Sequence, residues 1–373
     1  MSKTRVLLFR PSLGQGGADR VTATLLRRLD RRRFELAIAL VHAEGPFMAD
    51  VPEDIEFHAL GSKRLAFSIP ALRRVIRRVK PDVVFSTASA ANPLAVIAHA
   101  IAGSKARVVL SERNALFRGR FDDVKQRIEV ALKRVTYHRA HLVTAVSSGL
   151  ADQLVTDLGL PRANVRVVYN PMIEDDLTDR AAEPVDHPWF APDAPAVILA
   201  CARLVEQKDY PALLEAFAKV RARITARLFV LGEGPMRRAL EDKAKRLGVA
   251  DDVCFHGFDK NPLKYMARAQ LLMHASRAEG LPGALIQTMA CGTPVVSTDC
   301  DFGPREVISR PDVDGFLVPV GDTAALADRA LRLLDNPALR RAVGDHARVS
   351  ANRFTVAASL ARYEAALEPG GDS

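Results

Sequence analysis

The feature that most constrains the fold of this chain is a repeated alternation of short apolar runs with helical patterns. In the first half, apolar runs that begin at Arg5, Phe34, Asp82, Arg107 and Leu142 predict strands. In the second half, further runs predict strands at 196–201, 227–232, 253–257, 271–275, 293–298 and 315–319. Strands that alternate with helices form right-handed βαβ units, which build parallel sheets covered by helices.

A proline-rich stretch between Pro184 and Pro195 breaks this alternation and predicts a linker. We therefore expect two doubly wound α/β domains, residues 1–185 and 186–355. A chain of 373 residues with 48% apolar content is large enough for two buried cores. Because doubly wound sheets bind ligands beyond the carboxyl ends of their strands, a site is expected in a cleft between two facing domains.

The composition excludes several classes of protein and site. No apolar run reaches the roughly 18–20 residues that span a bilayer, and residues 1–9 lack the pattern of a secretory signal peptide. We therefore expect a cytoplasmic protein. The cysteines form no C-x-x-C pair, which favours reduced thiols over disulfides or a zinc site. They are Cys201, Cys254, Cys291 and Cys300.

The excess positive charge of the chain is confined to its first half. Residues 1–185 contain 29 Lys and Arg against 20 Asp and Glu, whereas residues 186–373 contain 24 of each, and the formal net charge is +9. Basic side chains are concentrated at 27–33, at 70–80 and in a third cluster. That cluster consists of Arg118, Arg120, Lys125, Arg127, Lys133 and Arg134.

Such basic clusters are typical either of solvated surface helices or of a surface that contacts anionic lipid headgroups. The one-sided charge favours peripheral association of the first domain with the inner face of the cytoplasmic membrane. Nucleic acid is a poorer candidate partner, because the sequence has no zinc finger, no RNA-recognition signature and no aromatic residues interleaved with the basic ones.

A dense set of chemistry-bearing residues surrounds Glu279. This residue stands in a polar loop before a predicted helix at 283–291, and Gln287 lies about two turns away from it on that helix. Gly280 and Gly283 leave the backbone bare where the first helical N–H groups are unpaired, which is typical of a site for anions or hydroxyl groups. The alternative is a turn in which Glu279 only complements the helix dipole.

Two cations and a glycine loop follow other predicted strands. Arg203 and Lys208 come after the strand at 196–201 and would suit a diphosphate, although solvated surface cations are the alternative. The glycines at 14–17 precede a helix at 20–29, where bare backbone can approach a phosphate or a sugar, although most such loops are only tight turns. The sequence contains no dinucleotide-binding fingerprint and no P-loop.

Two further patterns are poor candidates for metal sites. Asp299-Cys-Asp and Asp312-Val-Asp both spell D-x-D, but a three-residue pattern recurs by chance and two cations already suit a diphosphate. His256 and His274 lie in apolar runs, which favours hydrogen-bonded histidines of the core or a cleft edge over metal ligands. We therefore expect no metal site.

Taken together, the motifs of the chain resemble those of the large family 4 of retaining glycosyltransferases, also called glycosyltransferase group 1. The matching motifs, in chain order, are Gly16-Gly-Ala-Asp-Arg-Val, Val146-Ser-Ser-Gly, Val168-Tyr-Asn-Pro, Ala202-Arg-Leu-Val-Glu-Gln-Lys-Asp, Leu231-Gly-Glu-Gly-Pro, Val253-Cys-Phe-His-Gly-Phe, Glu279-Gly-Leu-Pro and Ala290-Cys-Gly-Thr-Pro-Val-Val-Ser-Thr-Asp. The resemblance implies the GT-B fold, with two Rossmann-like domains that face a cleft. The second would hold a nucleotide-sugar donor and the first an acceptor, with a final helix at 356–367 crossing back to the first.

The resemblance also implies roles for individual residues. Arg203 and Lys208 match the pair that grips the donor diphosphate, and they would stabilise the departing phosphate without a metal or other cofactor. Glu279 matches the first acid of the E-x(7)-E motif, which contacts hydroxyls of the donor sugar. The retaining mechanism requires no enzymic nucleophile. Donor-binding positions, including the backbone amides of 282–285, are Gly16, Gly17, Gly232, Gly257, Leu281, Pro282, Gly283, Ala284, Leu285 and Gln287.

The chain departs from the family pattern at two places. Gln287 stands where a second acid would bind the ribose hydroxyls. A neutral hydrogen bond contributes about 0.5–1.5 kcal/mol against about 1.5–3 for a charged one, so we expect weaker ribose binding. Many relatives carry a histidine near the sugar, whereas the matching region here contains Glu112, Arg113 and Asn114. One of these three residues takes its place, or none does.

The resulting hypothesis is a retaining hexosyltransferase that moves a hexose or N-acetylhexosamine from a nucleotide sugar, by family expectation UDP-linked, to a glycan or lipid-linked acceptor. The run beginning Asp299-Cys-Asp-Phe-Gly-Pro resembles relatives that build bacterial polysaccharide, lipopolysaccharide or lipid-linked oligosaccharide. One alternative is a sugar-nucleotide epimerase, which would yield an isomeric nucleotide sugar without an acceptor. The other is a non-catalytic glycan- or nucleotide-binding partner.

Overall fold

The computed structural model of the chain describes residues 3–14, 16–116 and 124–370, with side chains from residue 127 onward in the last range. Its strands are β1 (Thr4–Arg10), β2 (Phe34–Leu40), β3 (Glu56–Ala59), β4 (Val83–Ser86), β5 (Arg107–Glu112), β6 (Leu142–Ala145), β7 (Val165–Val167), β8 (Ala196–Cys201), β9 (Ala226–Leu231), β10 (Val253–Gly257), β11 (Leu271–His274), β12 (Val295–Thr298) and β13 (Phe316–Val318). Its helices are α1 (Gly17–Arg28), α2 (Ile69–Val79), α3 (Asn92–Ala102), α4 (Val124–Tyr137), α5 (Ser148–Leu158), α6 (Leu177–Ala182), α7 (Tyr210–Arg221), α8 (Arg237–Arg246), α9 (Leu263–Met266), α10 (Gly283–Ala290), α11 (Pro304–Val307), α12 (Thr323–Leu334), α13 (Pro337–Ala351) and α14 (Val356–Leu367).

The chain divides into two compact units, each built on one parallel sheet. The N-terminal unit comprises Met1–Pro171 and Ala357–Ser373, and the C-terminal unit comprises Met172–Val356. The N-terminal sheet has the strand order β3-β2-β1-β4-β5-β6-β7, and the C-terminal sheet has the order β10-β9-β8-β11-β12-β13. Both are doubly wound orders, so the predicted α/β class is confirmed.

The apolar runs become central strands because helices cover both faces of each sheet. In the N-terminal unit, Leu7 and Phe9 of β1 pack with Leu72 and Ile76 of α2. Those two α2 residues are one helical turn apart, and Arg74, Arg77 and Arg78 of the same helix are exposed.

The C-terminal sheet places two loops beside each other. β8 pairs with β9 on one side and with β11 on the other, and all of these pairings are parallel. The helices that follow β8 and β11 therefore lead away in different directions. The loops at the carboxyl ends of these two strands lie next to each other at this switch point, where doubly wound sheets bind ligands.

The boundary between the units lies at 171/172 and not at the predicted 185/186. Residues 172–185 belong to the C-terminal unit, where α6 packs against α9. Asn261 Nδ2 also donates a hydrogen bond to Arg180 O at 2.8 Å. The proline-rich stretch follows this packed helix, so it does not mark where the chain passes from one unit to the other.

The last helix, α14, packs on the N-terminal unit. Tyr363 is buried there, with its ring centroid 6.1 Å from that of Phe85 and its hydroxyl donating to Asn170 Oδ1 at 3.3 Å. Glu364 accepts a hydrogen bond from Asp30 N–H at 3.3 Å. The N-terminal unit is therefore completed by the far end of the chain.

The basic segment at 27–33 is largely neutralised inside the N-terminal unit, which weakens the expectation that it contacts a membrane. Its arginines form ion pairs with acids of the same unit, namely Arg31–Asp54, Arg32–Asp30, Arg33–Glu364 and Arg33–Glu368. By contrast, α2 leaves Arg74, Arg78 and Lys80 at its end exposed.

Two other expectations can be compared with the structure. All four cysteines are free thiols, of which Cys300 is buried and the others are half-buried. Within the described ranges, no helix is both long enough and apolar enough to cross a membrane. Arg118 and Arg120 of the third basic cluster, and the side chain of Lys125, lie outside the described residues.

Candidate active site

The loops that follow β8 and β11 form the candidate site. The first carries Arg203 and Lys208, and the second carries Glu279. Three hydrogen bonds join the loops: Arg277 N–H to Gln207 O at 2.9 Å, Gln207 Nε2 to Ala278 O at 2.7 Å, and Arg277 Nε to Asp209 Oδ2 at 2.7 Å. Because these bonds are spread along both loops, they hold Lys208 and Glu279 at a fixed separation.

The Glu279 carboxylate is buried and uses one oxygen for all its fixed contacts. Lys208 Nζ lies 2.5 Å from Glu279 Oε1, Ser276 Oγ lies 2.7 Å away and His274 Nε2 lies 2.9 Å away. Among the residues that the structure describes, Oε2 has no hydrogen-bond partner. The site therefore offers one carboxylate oxygen that can accept hydrogen bonds from a ligand.

His274 is a part of the site that its apolar surroundings in the sequence did not reveal. Its Nδ1 lies 3.0 Å from Ser297 Oγ, and Ser297 Oγ donates in turn to Thr298 O at 3.0 Å. The imidazole is thus held at both nitrogens, between β12 and Glu279. The available sequence signal is the spacing H-A-S-x-x-E, which places His274 and Ser276 just before the acid.

The environment of Glu279 favours its charged form. Burial alone would raise the pKa of Glu279, but the charge of Lys208 and the hydrogen bond from His274 outweigh burial and hold that pKa well below its usual value. A carboxylate that stays ionised at all ordinary pH values is suited to accept hydrogen bonds from hydroxyl groups.

We expect this low pKa to make the free energy of unfolding depend on pH in the acidic range. The folded protein keeps Glu279 ionised where the unfolded chain takes up a proton, so the free energy of unfolding should fall as pH drops below the ordinary Glu value of 4.5. Urea unfolding across this range should show a smaller fall for Glu279→Gln. The matched control is Glu215→Gln, which removes a half-buried surface pair, Lys243–Glu215, of the same 2.5 Å length and should leave the pH dependence of the parent unchanged. Equal pH dependence in the parent and in Glu279→Gln would contradict this prediction.

Arg203 differs from Lys208 in being exposed. Within the described part of the chain, its guanidinium makes no hydrogen bond or ion pair. Its loop is nevertheless fixed through the backbone, since the neighbouring Leu204 N–H donates to Glu233 O at 2.9 Å. A fixed backbone with an unbonded, charged side chain is suited to bind an anionic group.

Glycines after β9 and at the end of β10 let neighbouring backbone approach the Arg203 loop. Gly232 has φ +135°, and a Cβ on it would lie 2.0 Å from Ala202 O. A Cβ on Gly234 would lie 2.3 Å from Leu204 O. Gly257, with φ +100°, accepts a hydrogen bond from Gly232 N–H at 2.7 Å. Packing therefore explains these glycines, and donor binding by Gly232 and Gly257 stays a prediction.

The start of α10 offers fewer amides than predicted. Pro282 has no N–H, and Leu285 N–H already donates to Pro282 O at 3.1 Å. Leu285 and Leu281 have buried side chains. Of the four residues at 282–285, Gly283 and Ala284 are therefore the ones with N–H groups that α10 itself does not use, and the prediction for the other two amides is wrong.

Gln287 uses its amide to hold the chain at Met172. Its Nε2 donates to Met172 O at 3.3 Å, and the side chain is buried. A glutamate at this position could not donate that hydrogen bond. The glutamine is therefore adapted to local packing, and among the described residues its side-chain oxygen has no hydrogen-bond partner, so ribose binding through that oxygen stays a prediction.

We expect Gln287→Glu to lower the free energy of unfolding by about 1–3 kcal/mol, although it restores the family's acid, because it places a carboxylate beside a carbonyl oxygen. Urea unfolding measures this loss. The control is Gln270→Glu, since Gln270 Oε1 accepts a hydrogen bond from Val197 N–H at 2.5 Å and a carboxylate can replace that acceptor. Equal stability of the two variants would contradict the prediction.

The glycine loop of the N-terminal unit serves as the start of α1. Gly16 N–H donates to Asp19 Oδ2 at 2.9 Å, and Asp19 also forms an ion pair with the buried Arg10. Burial and the nearby charge of Arg113 lower the pKa of Arg10 to about 10, and Asp19 opposes this shift. A Cβ on Gly17 would meet no atom within 4 Å. Donor binding by Gly16 and Gly17 remains a prediction.

The structure distinguishes the three residues that stood as alternatives to the missing histidine. Glu112 is fully buried and accepts hydrogen bonds from Tyr137 at 2.6 Å and from the N–H groups of Arg113 and Asn114 at 3.1 and 3.3 Å. Arg113 is also buried, whereas Asn114 is exposed. Glu112 therefore shapes the loop, and Asn114 is the side chain of the three that solvent or a ligand can reach.

The D-x-D patterns are engaged in surface contacts. Asp299 forms an ion pair with Arg305, and Asp312 lies 3.5 Å from Arg329. His256 is exposed, with its Nε2 3.1 Å from the Tyr265 hydroxyl. In the described ranges, no group of three or more His, Cys, Asp or Glu side chains is placed to hold a metal ion.

Two family models match the chain, one for each unit. The model "Glycosyl transferases group 1" matches residues 184–350, and the model "Glycosyltransferase Family 4" matches residues 15–175. Together with the two parallel-sheet units, they show that the chain belongs to the group 1 and family 4 glycosyltransferases with the GT-B fold.

Two relatives are similar to this chain along most of its length. It is 27% identical over 369 residues to the N-acetylgalactosamine-N,N'-diacetylbacillosaminyl-diphospho-undecaprenol 4-alpha-N-acetylgalactosaminyltransferase of Campylobacter jejuni, covering 95% of this chain and 96% of that one. It is 26% identical over 330 residues to the lipopolysaccharide core biosynthesis glycosyltransferase LpsE of Rhizobium meliloti, covering 87% of each. The crystal structure of Anabaena HepE in complex with UDP-glucose superposes with a TM-score of 0.80 and 21% identity over 97% of this chain and 98% of that one. That likeness shows the fold.

Proposed function

We propose that this glycosyltransferase moves a hexose or N-acetylhexosamine from a nucleotide sugar to a glycan or lipid-linked glycan acceptor, with retention of anomeric configuration and without a metal ion. The product belongs to the assembly of cell-surface polysaccharide, lipopolysaccharide or lipid-linked oligosaccharide. UDP is the first nucleotide to test.

The observation that carries this proposal is the arrangement of Arg203, Lys208 and Glu279 at the switch point of the C-terminal sheet. Lys208 has three N–H donors and donates one to Glu279, and among the described residues the other two have no acceptor, so they can bind a phosphate. Arg203 adds a second, exposed cation on the same loop. Glu279 keeps one carboxylate oxygen that can accept hydrogen bonds from sugar hydroxyls. The two cations therefore suit the diphosphate of a nucleotide sugar, and the carboxylate suits its sugar.

The reaction follows from these charges. The bond between the anomeric carbon and the phosphate oxygen breaks, and negative charge builds on the departing phosphate. Arg203 and Lys208 stabilise that charge more in the transition state than in the ground state, which lowers the barrier. The acceptor oxygen forms the new bond from the same face of the sugar, and its proton passes to a phosphate oxygen. The products are the glycoside and the nucleoside diphosphate.

The relatives support the choice of substrates. The Campylobacter jejuni relative carries a diphospho-undecaprenol-linked acceptor in its name, and the Rhizobium meliloti relative is named for lipopolysaccharide core biosynthesis. Anabaena HepE, which shares the fold, was crystallised with UDP-glucose. An acceptor of this kind brings the reaction to a membrane surface.

Thermal unfolding with UDP, GDP, ADP and dTDP, each alone and as its sugar, tests the donor. A ligand at 100 times its dissociation constant stabilises a protein by roughly 2.7 kcal/mol, so a clear shift is expected with one nucleotide series. The preferred sugar, isotope-labelled, is then incubated with membrane extracts, and NMR of the product reports its anomeric configuration.

The outcomes separate the alternatives. An isomeric nucleotide sugar formed without acceptor would identify an epimerase, and inverted configuration would overturn the retaining mechanism. Activity that is lost with EDTA and restored by a divalent cation would overturn metal independence. Absence of any nucleotide shift would favour a non-catalytic partner.

A further inference from the structure

The hydrogen bonds around His274 assign a hydrogen to its Nε2 atom. Nε2 lies 2.9 Å from Glu279 Oε1 and 3.0 Å from Ser276 Oγ. The Ser276 hydroxyl has one hydrogen, which it donates to Glu279 Oε1, the nearer acceptor at 2.7 Å and the charged one. Both atoms that face Nε2 therefore present lone pairs. Because all three side chains are buried, a bare Nε2 would face those lone pairs without compensation, so Nε2 carries a hydrogen.

Strand β12 holds the other nitrogen of the ring. Nδ1 lies 3.0 Å from Ser297 Oγ, which accepts from it and donates to Thr298 O at 3.0 Å. If the Ser297 hydrogen turns to Nδ1 instead, Nδ1 gives up its own hydrogen and Nε2 keeps one. The contact with Glu279 is therefore the same in both arrangements. β12 fixes the ring without competing for the hydrogen that faces the carboxylate.

Lys208 does not fix the direction of the Glu279 carboxylate by itself. Its ammonium group stands at the end of a flexible four-carbon stem, its side chain is 20% exposed, and in the proposed reaction it also binds phosphate. His274 ends the buried strand β11, and its planar ring is held at both nitrogens. A rigid donor on Oε1 determines where Oε2 points, and Oε2 is the oxygen with no partner among the described residues.

We propose that His274 is the positioning residue for the donor sugar. Its Nε2–H holds Glu279 Oε1 so that Oε2 is directed at a hydroxyl group of the sugar that is transferred. His274 acts through Glu279, whereas Arg203 and Lys208 bind the diphosphate. It therefore contributes to recognition and transfer of the sugar and not to binding of the nucleotide. The inference rests on the proposed function, because it assigns a further role within the same site.

Asparagine and glutamine at this position separate the two ring contacts. The amide nitrogen of asparagine takes the place of Nδ1, and that of glutamine takes the place of Nε2. His274→Gln therefore keeps a donor for Glu279, whereas His274→Asn keeps only the contact with Ser297. Calorimetry with UDP and UDP-glucose measures binding, or with the nucleotide and nucleotide sugar that stabilise the parent most. Initial rates at varied donor concentration measure kcat/KM.

His274→Asn should bind the nucleotide as tightly as the parent does and lose about 10–100-fold in kcat/KM for the nucleotide sugar, the size expected for a lost hydrogen bond to a charged group. His274→Gln should recover most of that loss. A residue with a structural role only would weaken binding of nucleotide and nucleotide sugar together, and glutamine would not restore the sugar alone. The matched control is His346→Asn, an equivalent change at an exposed histidine of α13, which should alter neither quantity.

Nitrogen NMR of the parent, prepared with isotope-labelled histidine, tests the hydrogen on Nε2 without an assay of activity. The His274 signals, identified by their absence in His274→Gln, should show a hydrogen bonded to Nε2 and should shift in Glu279→Gln. Because this measurement is made on the parent, it still tests the proposal if His274→Asn does not fold.

The proposal is overturned by a bare Nε2 on His274, by a His274→Asn protein with the kcat/KM of the parent, or by equal losses in the asparagine and glutamine variants. It is also overturned if affinities for nucleotide and nucleotide sugar fall together. A parent that transfers no sugar would instead overturn the proposed function, and this inference with it.

Discussion

An Arg203→Ala variant is expected to retain the stability of the parent and to lose about 10²–10³-fold of its turnover number. Removal of one donor that stabilises a developing negative charge typically has an effect of this size. Stability should be unaffected because Arg203 is exposed and its side chain has no partner within the described residues. Initial rates with saturating donor and acceptor, together with a thermal melt, measure both quantities.

The comparison with Lys208 makes this prediction sharper. Lys208→Ala should also abolish most turnover, but it leaves the buried Glu279 without its main charge partner and should lower stability by about 3 kcal/mol. Arg341→Ala is the matched control, since it removes an exposed arginine of α13 and should change neither quantity. An Arg203→Ala protein with unchanged turnover would show that Arg203 is only a solvated surface cation.

A Gly232→Ala substitution is expected to lower the free energy of unfolding by about 3 kcal/mol or more, with loss of activity following from the displaced loop. The added Cβ would lie 2.0 Å from the carbonyl oxygen of Ala202, and φ at this position is +135°. The neighbouring backbone must move to relieve the overlap, and that backbone leads directly to Arg203. Urea unfolding measures the loss.

Gly248→Ala separates the effect of backbone conformation from that of crowding. Gly248 has φ +70° but nothing within 4 Å of an added Cβ. This control should therefore show only the cost of a left-handed conformation, about 1–2 kcal/mol. If the two alanine variants are equally stable, close approach is not the reason for glycine at 232.

The sheets could be predicted where strands are buried on both faces. β1, β4 and β6 read as continuous apolar runs because helices cover both of their sides. β3 and β7 lack this signal. Edge strand β3 is exposed at three of its four positions, and β7 has a charged residue, Arg166, at its centre and one buried position, so neither produces a recognisable apolar run.

The charged residues of the candidate site could be predicted from the sequence, but the groups that hold them could not. Arg203, Lys208 and Glu279 stand in loops after predicted strands, and that position alone indicates a ligand-facing edge. The partners of Glu279 could not be predicted from periodicity. His274 acquires a polar role because the register of β11 and β12 places Ser297 opposite it, and register is a property of the folded sheet.

The three candidate residues of the N-terminal unit also show that contacts of the folded protein decide what residue type alone does not. Glu112, Arg113 and Asn114 are adjacent in sequence, and their residue types alone do not rank them. Burial separates them, because Tyr137 and Lys133 of a distant helix bind the Glu112 carboxylate. Asn114 is left at the surface by this arrangement.

The return of α14 to the N-terminal unit affects how such a protein can recombine with its relatives. The first unit is assembled from both ends of the chain, and Tyr363 fills a buried place beside Phe85. A single genetic crossover near residue 171 would combine the first sheet with a foreign last helix and lose that fit. Exchange of an intact half requires two crossovers, one near 171 and one near 356. A segment exchanged between these two points would carry the whole C-terminal unit and leave the N-terminal unit with its own last helix.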